Sequence, residues 1–441
     1  MKTKTTLSIG FDDTDSPKGM CTTYLGFKLV NLLQKENVEF VDYPRLVRFN
    51  PNIPWKTRGN GAVGLKIKTS NPQKIKKKVI ELISKYSEIK NGANPAIVFY
   101  EHEKISKPVK EFSKLALWKL IQRKYVKKFV KENNIDSFYL GNGQGLVGAI
   151  GVIGYEFNDN TLELLSYRKK SKFGTIRKLS SQSVKKMQEM TFPNTFNSYD
   201  SKKNRVMIAP RGPDPVFYGI RGDDPNSLFE ASKLIQTSER LDGYLLFKSN
   251  QGTADHLQNT LDIQNLEPYT SGTITGTIFQ KPFVKYGGHV FFLISTKNKI
   301  IPCAVYKESG ITNHIMELDV GDKVKIGGGI RKATKHFPRT LNVEFIQVLK
   351  LVKNYRKTNP ICQKCNKRMK SKGKNQGFEC IKCKNKLDSK QIETISRNIK
   401  QKLYLPIISS QRHLTRPYQR QGKINKTKFN NSIPWFNQFK N

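Results

Sequence analysis

The chain is poor in acid. Its 441 residues carry 35 Asp and Glu against 78 Lys and Arg, for a formal charge of +43. That deficit excludes a predominantly acidic surface. It points to a polyanionic partner, because each Lys or Arg set against a phosphate releases condensed counterions; a lysine-rich solvated surface is the alternative. Long apolar runs are also missing. None approaches the ~20 residues of a bilayer-spanning helix, and the lysine-rich start has no signal-peptide core, so a soluble, cytoplasmic protein with no membrane partner is expected. Cysteine is scarce outside one block. Four of the six lie within 22 residues and leave Cys21 and Cys303 isolated, which argues against a disulfide framework and for reduced thiols. With 37% apolar residues the chain is not a disordered one, and its length allows roughly three or four domains.

What is present divides into blocks. Residues 5–11, "TTLSIGF", read as a buried strand that feeds an acidic loop. From Thr22 to about Gln34 apolar residues recur at helical spacing, with threonine as N-cap. "VEFVDYPRLVRF" returns to strand, so the chain opens as an α/β domain with its loop at a strand's C-terminal end. Asn71 and Pro72 mark the N-cap and first turn of a helix with a lysine-rich outer face. A long helical stretch is expected from about Val109 to Lys131. The Pro-, Gly- and Asp-rich region that follows suggests a small α+β unit over residues 191–265. Five short strands over 267–354, with glycine turns and the signal "GDKVKIGGGIRK", resemble an oligonucleotide-binding (OB) barrel, a sandwich being the alternative.

"CQKCNKRMKSKGKNQGFECIKC" pairs two C-x2-C knuckles around fourteen residues. Cys362, Cys365, Cys380 and Cys383 can surround a structural Zn2+ tetrahedrally, and a ribbon over 358–388 would depend on that metal for its stability. Residues 389–441 are expected to form a basic helix and tail. Asp388 and Gln391 make a capping-box pattern ahead of Ile392, Ile395, Ile399 and Leu403. The chain from residue 360 onward holds 20 Lys and Arg against three acids. Its aromatics Tyr418, Phe429, Trp435, Phe436 and Phe439 fit an RNA grip or a flexible tail equally.

The opening loop, "DDTDSPKG", is where acid concentrates. Calcium of the EF-hand type fails, since counting from Asp13 the fifth position is Pro17 and no glutamate closes the loop. "DTDS" after an apolar strand mimics an acidic-loop phosphatase, without that class's downstream lysine and acid. A magnesium–nucleotide loop fits better. Asp12, Asp13 and Asp15 would hold Mg2+ on ATP phosphates, the turn Ser16, Lys18, Gly19 and Met20 would take phosphate oxygens with the helix N-terminus, and Thr22 would lie beside the transferable phosphate. A plain acidic turn with a capping threonine is the structural alternative. The second glycine loop, Gly141, Asn142, Gly143, Gln144 and Gly145, runs into a G-x-G-x-x-G string without the acidic residue of a dinucleotide fold, and remains a candidate phosphate or base contact.

Five segments in order, "FDDTDSPKGMCTTYLG", "YPRLVRFNPNIPWKTRGNGAV", "GNGQGLVGAIG", "MIAPRGPDPVFYGIRGDDP" and "NQGTADHL", ahead of a barrel and a ribbon, resemble the archaeal agmatidine synthetases, the tRNA(Ile) 2-agmatinylcytidine synthetases. The resemblance spans about residues 6–390. It implies a kinase-like ATP-binding catalytic domain (1–190), a ferredoxin-like domain (191–265), an OB-fold domain and a zinc ribbon. It also implies an ATP-dependent ligase that joins agmatine to C2 of the wobble cytidine in an isoleucine tRNA, releases AMP and phosphate, and switches decoding from AUG to AUA. In the family the first threonine after Met-Cys is autophosphorylated, which falls on Thr22. For this substrate Arg45, Arg48 and Arg58 are candidates for tRNA or ATP phosphates. Trp55 and Tyr218 are candidates for stacking a splayed base, and Asp214, Asp223 and Asp224 for the agmatine dication, turn and capping roles being their alternatives. A monomer is expected. A non-catalytic tRNA-binding protein is the rival from another class.

Overall fold

The run "TTLSIGF" forms, with Asp12, the strand Thr5–Asp12. It is buried on both sides of its sheet because strands Gly61–Thr69 and Ala96–Tyr100 flank it and helices cover it. Leu7, Ile9 and Phe11 face helices Thr22–Gln34 and Pro72–Tyr86 in one core. On the other face Gly10 lies against helix Leu146–Gly154, where a Cβ would overlap the Ala149 carbonyl. In this computed structural model, which describes residues 3–439, the sheet has eleven strands. Its order is 136–139, 96–100, 5–12, 61–69, 45–48, 241–249, 161–168, 216–222, 195–196, with 39–40 attached to 61–69 and 436–438 to 241–249. The neighbours pair antiparallel except at one joint, where Arg45 and Leu46 run parallel to Lys248 and Ser249. Two distant parts of the chain meet there, and the site described below opens beside it.

Asn71 caps its helix as expected, its side chain accepting from Lys74 N, with Pro72 in the first turn. The stretch 109–131 is instead two helices, Lys107–Trp118 and Arg123–Glu132. No proline or glycine interrupts it. The chain opens at 119–122 so that Ile121 can bury beside Phe112 and Val126, a tertiary demand that outweighs local helical spacing.

Strands Ser271–Val284, Val290–Thr296, Lys299–Val305, Lys323–Arg331 and Thr340–Lys350 close into a barrel. The first pairs with the second and fourth, and the third closes against the fifth in parallel. Helix Thr312–Met316 sits between strands three and four. Closure leaves few open edges.

The expected helix after Asp388 is a strand. Gln391–Ile395 pairs antiparallel with Asn354–Thr358, and Glu393 meets Arg356 across the pair and Arg368 of the cysteine block. The i, i+3, i+7 spacing that suggested a helix serves two surroundings. Ile392 and Ile395 are exposed on the stalk, while Ile399 is buried in the barrel core. This two-stranded stalk carries the cysteine ribbon outward. The chain then returns, pairs Leu403–Tyr404 with the last barrel strand, and crosses back to end as Phe436–Gln438 on the long sheet. Phe429, Trp435 and Phe436 pack into the main core, while Tyr418 and Phe439 stay exposed. The tail is therefore a docked strap: most of its aromatics fasten it, and neither a flexible end nor an open stacking strip describes it.

Candidate active site

Asp12 ends its strand, and Asp13 turns the chain with a left-handed φ of 56°, a conformation aspartate tolerates better than most residues. Ser16 and Gly19 then close a tight turn with backbone bonds of 3.1 and 3.2 Å. Helix Thr22–Gln34 begins with Cys21 as N-cap and without a side-chain cap bond. Thr22 is thus the first helical residue and not the cap, and its hydroxyl is engaged by Thr14 Oγ1 at 3.0 Å. Asp12, Asp13, Asp15, Thr22 and Thr23 together line one end of a cavity of about 370 Å³.

The glycine loop explains how this end is built. Gly141 and Gly143 have φ of 68° and 79° and form the turn. A Cβ at Gly145 would press on the Asp12 carbonyl, and one at Gly148 would overlap the Asp12 carboxylate, so these glycines let helix Leu146–Gly154 approach the acidic strand. Gln144 lines the cavity and Asn142 a groove beside it. Burial, then the charges of Asp13 and Asp15, push the Asp12 carboxyl up to about 8. Burial pushes Asp13 up to about 6, against hydrogen bonds from Asn94. Neither carboxylate has an ion-pair partner among the described residues. Burial raises Asp15 too, but Arg58 and the Thr57 hydroxyl (3.0 Å) oppose it.

The adjoining lining is guanidinium and carboxylate in alternation. Arg58 bridges Asp15 and Asp214, and Asp214 in turn meets Arg177 at 3.3 Å. Arg48 lies 4.0 Å from buried Glu163, which also accepts from Arg221 Nε at 3.0 Å and from Gln251. Arg221 Nη2 reaches His413 Nδ1 at 2.8 Å. Trp55 stands half-exposed at the mouth.

Of the residues singled out in the sequence, Asp12, Asp13, Asp15, Thr22, Gln144, Arg48, Trp55, Arg58 and Asp214 converge here. Others are placed elsewhere. Asp223 is held by Arg420 at 2.8 Å, and Asp224 caps helix Pro225–Lys233 through Ser227 N. Tyr218 is in the core. Arg45 binds the Tyr155 carbonyl and lies over the Phe157 ring. Lys18 is exposed on the turn, Met20 packs on the core, and Ser16 borders the neighbouring groove. Glu163, Arg221 and His413 were not singled out. Glu163, an isolated acid inside "TLELLSYR", carried a readable signal; His413 lies 192 residues from Arg221 and 162 from Gln251 and carried none.

The four ribbon thiols all lie within 4.8 Å of one another, as a tetrahedral thiolate zinc site requires. The ribbon's own core is only Met369 and Phe378 with the cysteines and Leu387. Removing zinc with a chelator should therefore make residues 359–399 sensitive to protease while the thermal transition of the long sheet stays in place; a ribbon still resistant after metal loss refutes this dependence.

A basic chain with a carboxylate-ended cavity on a long mixed sheet, a small β-barrel and a cysteine ribbon on a stalk defines a multidomain α/β protein built to work on a phosphate-rich ligand. The comparisons make the class particular. Family models match the TiaS TCKD domain over residues 8–142, the TiaS FLD domain over 143–256 and the TiaS C-terminal zinc ribbon domain over 359–399. The tRNA(Ile) 2-agmatinylcytidine synthetase TiaS of Cenarchaeum symbiosum is 52% identical over 435 residues, 99% of this chain and 97% of that relative. The crystal structure of apo TiaS, a tRNA(Ile) agmatidine synthetase, superposes with TM-score 0.87 at 34% identity, covering 96% of this chain and all of that one. That of a TiaS complex with its isoleucine tRNA, AMPCPP and agmatine does so with TM-score 0.82 at 31% identity, covering 97% of this chain and all of that one. The chain belongs to the TiaS family of tRNA(Ile) 2-agmatinylcytidine synthetases.

Proposed function

We propose that this protein is an ATP-dependent ligase that conjugates agmatine to C2 of the wobble cytidine of an isoleucine tRNA, the cavity being its active site. The observation that carries the reading is the cavity's polarity. Two carboxylates with no ion-pair partner among the described residues line one cavity with Thr22 in a strongly basic chain, in a family with a solved complex holding an isoleucine tRNA, an ATP analogue and agmatine.

The C2 oxygen is a poor leaving group until phosphorylated, and phosphoryl transfer needs mainly positioning and charge neutralisation. The donor set fits a hard divalent cation: oxygen ligands only, with carboxyls that burial and mutual repulsion hold above the usual range. Asp12 and Asp13, with Asp15 beside them, would hold Mg2+, which when bound neutralises phosphate charge. Thr22 is the proposed phosphoacceptor, and the Gln144 loop and the N-terminus of helix Leu146–Gly154 contact the nucleotide. Asp214 Oδ2, buried without a hydrogen bond, is the carboxylate proposed for agmatine. Trp55 offers a face for the splayed base, and Arg48 and Arg58 order the adjoining lining through Glu163, Asp15 and Asp214. The kinase-like and ferredoxin-like names for the two parts of the sheet belong to this reading. So does the OB name for the barrel, which its strand pairing and helix position support.

Incubation with labelled ATP, agmatine and the tRNA transcript should give AMP only when both co-substrates are present, and Thr22→Ala should abolish both protein labelling and tRNA modification. ATP left intact in the complete mixture would sink the proposal.

A further inference from the structure

The strap brings His413 into the cavity, on a backbone fixed at both sides. Gly252 N donates to the His413 carbonyl at 2.9 Å and Ala254 N to the Leu414 carbonyl at 2.8 Å. Arg412, the residue before it, binds the Pro51 carbonyl, Asn52 Oδ1 and Glu344 at 3.1, 3.0 and 2.9 Å. Room for the ring is kept by Gly59, where a Cβ would come within 2.7 Å of His413 Cδ2 and 2.9 Å of Nε2. The Nδ1 edge faces Arg221 and Gln251; Nε2, on the other edge beside Gly59, has no hydrogen bond among the described residues, and the residue lines the cavity.

Which nitrogen carries the proton follows from the partners. Arg221 Nη2, 2.8 Å from Nδ1, can only donate, so Nδ1 accepts and the proton of the neutral ring stays on Nε2. Gln251 Oε1, 2.9 Å from the same nitrogen, pulls the other way. The guanidinium decides, being charged and closer. The ring stays neutral because burial, with Arg48, Arg221 and Lys56 around it, holds its pKa well below the ordinary histidine value. The cavity is thus offered a fixed, uncharged N–H donor on a rigid support.

We infer that His413 donates from Nε2 to N3 of the target pyrimidine and selects cytidine over uridine at the modified position. This rests on the ligase reading for its substrate. Cytosine presents a lone pair at N3, beside the C2 that reacts, whereas uracil presents N3–H. A donor that cannot turn into an acceptor fits the first base and leaves two opposed hydrogens with the second, the kind of mismatch that discriminates strongly in a buried site.

Equilibrium binding of the full-length protein to two transcripts of the isoleucine tRNA, differing only in C or U at that position, tests this without requiring chemistry. Wild type should prefer the cytidine transcript about tenfold, and His413→Ala should hold both within about twofold. His413→Gln, whose amide can turn to donate or accept, should bind the uridine transcript better than wild type does. A merely structural histidine would give no such gain. A wild-type ratio near one, or a ratio unchanged in both variants, overturns the inference. Labelled agmatine incorporation by the wild type is followed in parallel: no incorporation with the binding preference intact counts against the ligase reading and leaves the role of His413 standing.

Discussion

Asp12→Asn should reduce ligation at least 10³-fold while raising the stability of the metal-free protein. The two effects share a cause. Asp12 is enclosed by the helix that Gly145 and Gly148 bring close, and this burial, with the charges of Asp13 and Asp15, pushes its carboxyl up to about 8. Its folded-state pKa therefore exceeds the unfolded value of about 4. The stability it contributes is complete below pH about 4 and is lost progressively as pH rises to about 8, an amount of the order of 5 kcal/mol. Asparagine carries no such cost, so the gap in melting temperature between variant and wild type, measured in chelator, should widen from pH 5 to pH 8. Magnesium should reverse it. A cation held by Asp12 and Asp13 replaces their protons, so added Mg2+ should raise the wild-type melting temperature more at pH 8 than at pH 5, and that of the variant little. A wild-type melting curve indifferent to both pH and Mg2+ would remove Asp12 from the cation site. Removal of a group that neutralises transferring phosphate commonly costs several kcal/mol in the barrier, which sets the expected rate loss.

This acidic end of the site was legible because it is local. Asp12, Asp13, Asp15 and Thr22 fall within eleven residues, and a strand, a turn and a helix start suffice to gather them. Only the cap was misassigned: Cys21 holds that place and leaves Thr22 inside the first turn. The glycine loop was legible as a loop but not in its purpose. Gly148 is there because of Asp12, a contact that no spacing rule contains. The guanidinium wall was harder still. Arg221 stands beside two aspartates in "RGDDP", and the acids drew the attention, yet Asp223 is committed to Arg420 and Asp224 to a helix cap. Charge in a sequence marks where an ion pair is available and says nothing about which partner takes it. The barrel and the cysteine ribbon were readable because alternation and C-x2-C spacing are short-range signals. The strand at Gln391–Ile395 was not, since its helical spacing was produced by residues serving two different neighbours.

Arg420→Ala should be the most damaging single change in the strap, lowering stability by about 3–5 kcal/mol. Arg420 is fully buried. It donates to Asp159 Oδ1 at 2.9 Å, Asp223 Oδ1 at 2.8 Å and the Gly252 carbonyl at 2.7 Å. Truncation leaves two acids and a carbonyl without this donor in a site water reaches poorly, although Arg416 still holds Asp159 Oδ2 at 2.6 Å. Asp159→Asn should cost less, because Arg420 keeps Asp223, and Arg416→Ala least, because Asp159 keeps Arg420. Chemical denaturation of the three variants checks that order; equal losses would mean the network does not fasten the strap. The same loop ties this network to the cavity, since Gly252 accepts from Arg420 through its carbonyl and donates to the His413 carbonyl through its N–H. Loosening Arg420 should therefore blur the C-to-U preference before the sheet itself unfolds, in conditions where Arg416→Ala leaves it unchanged.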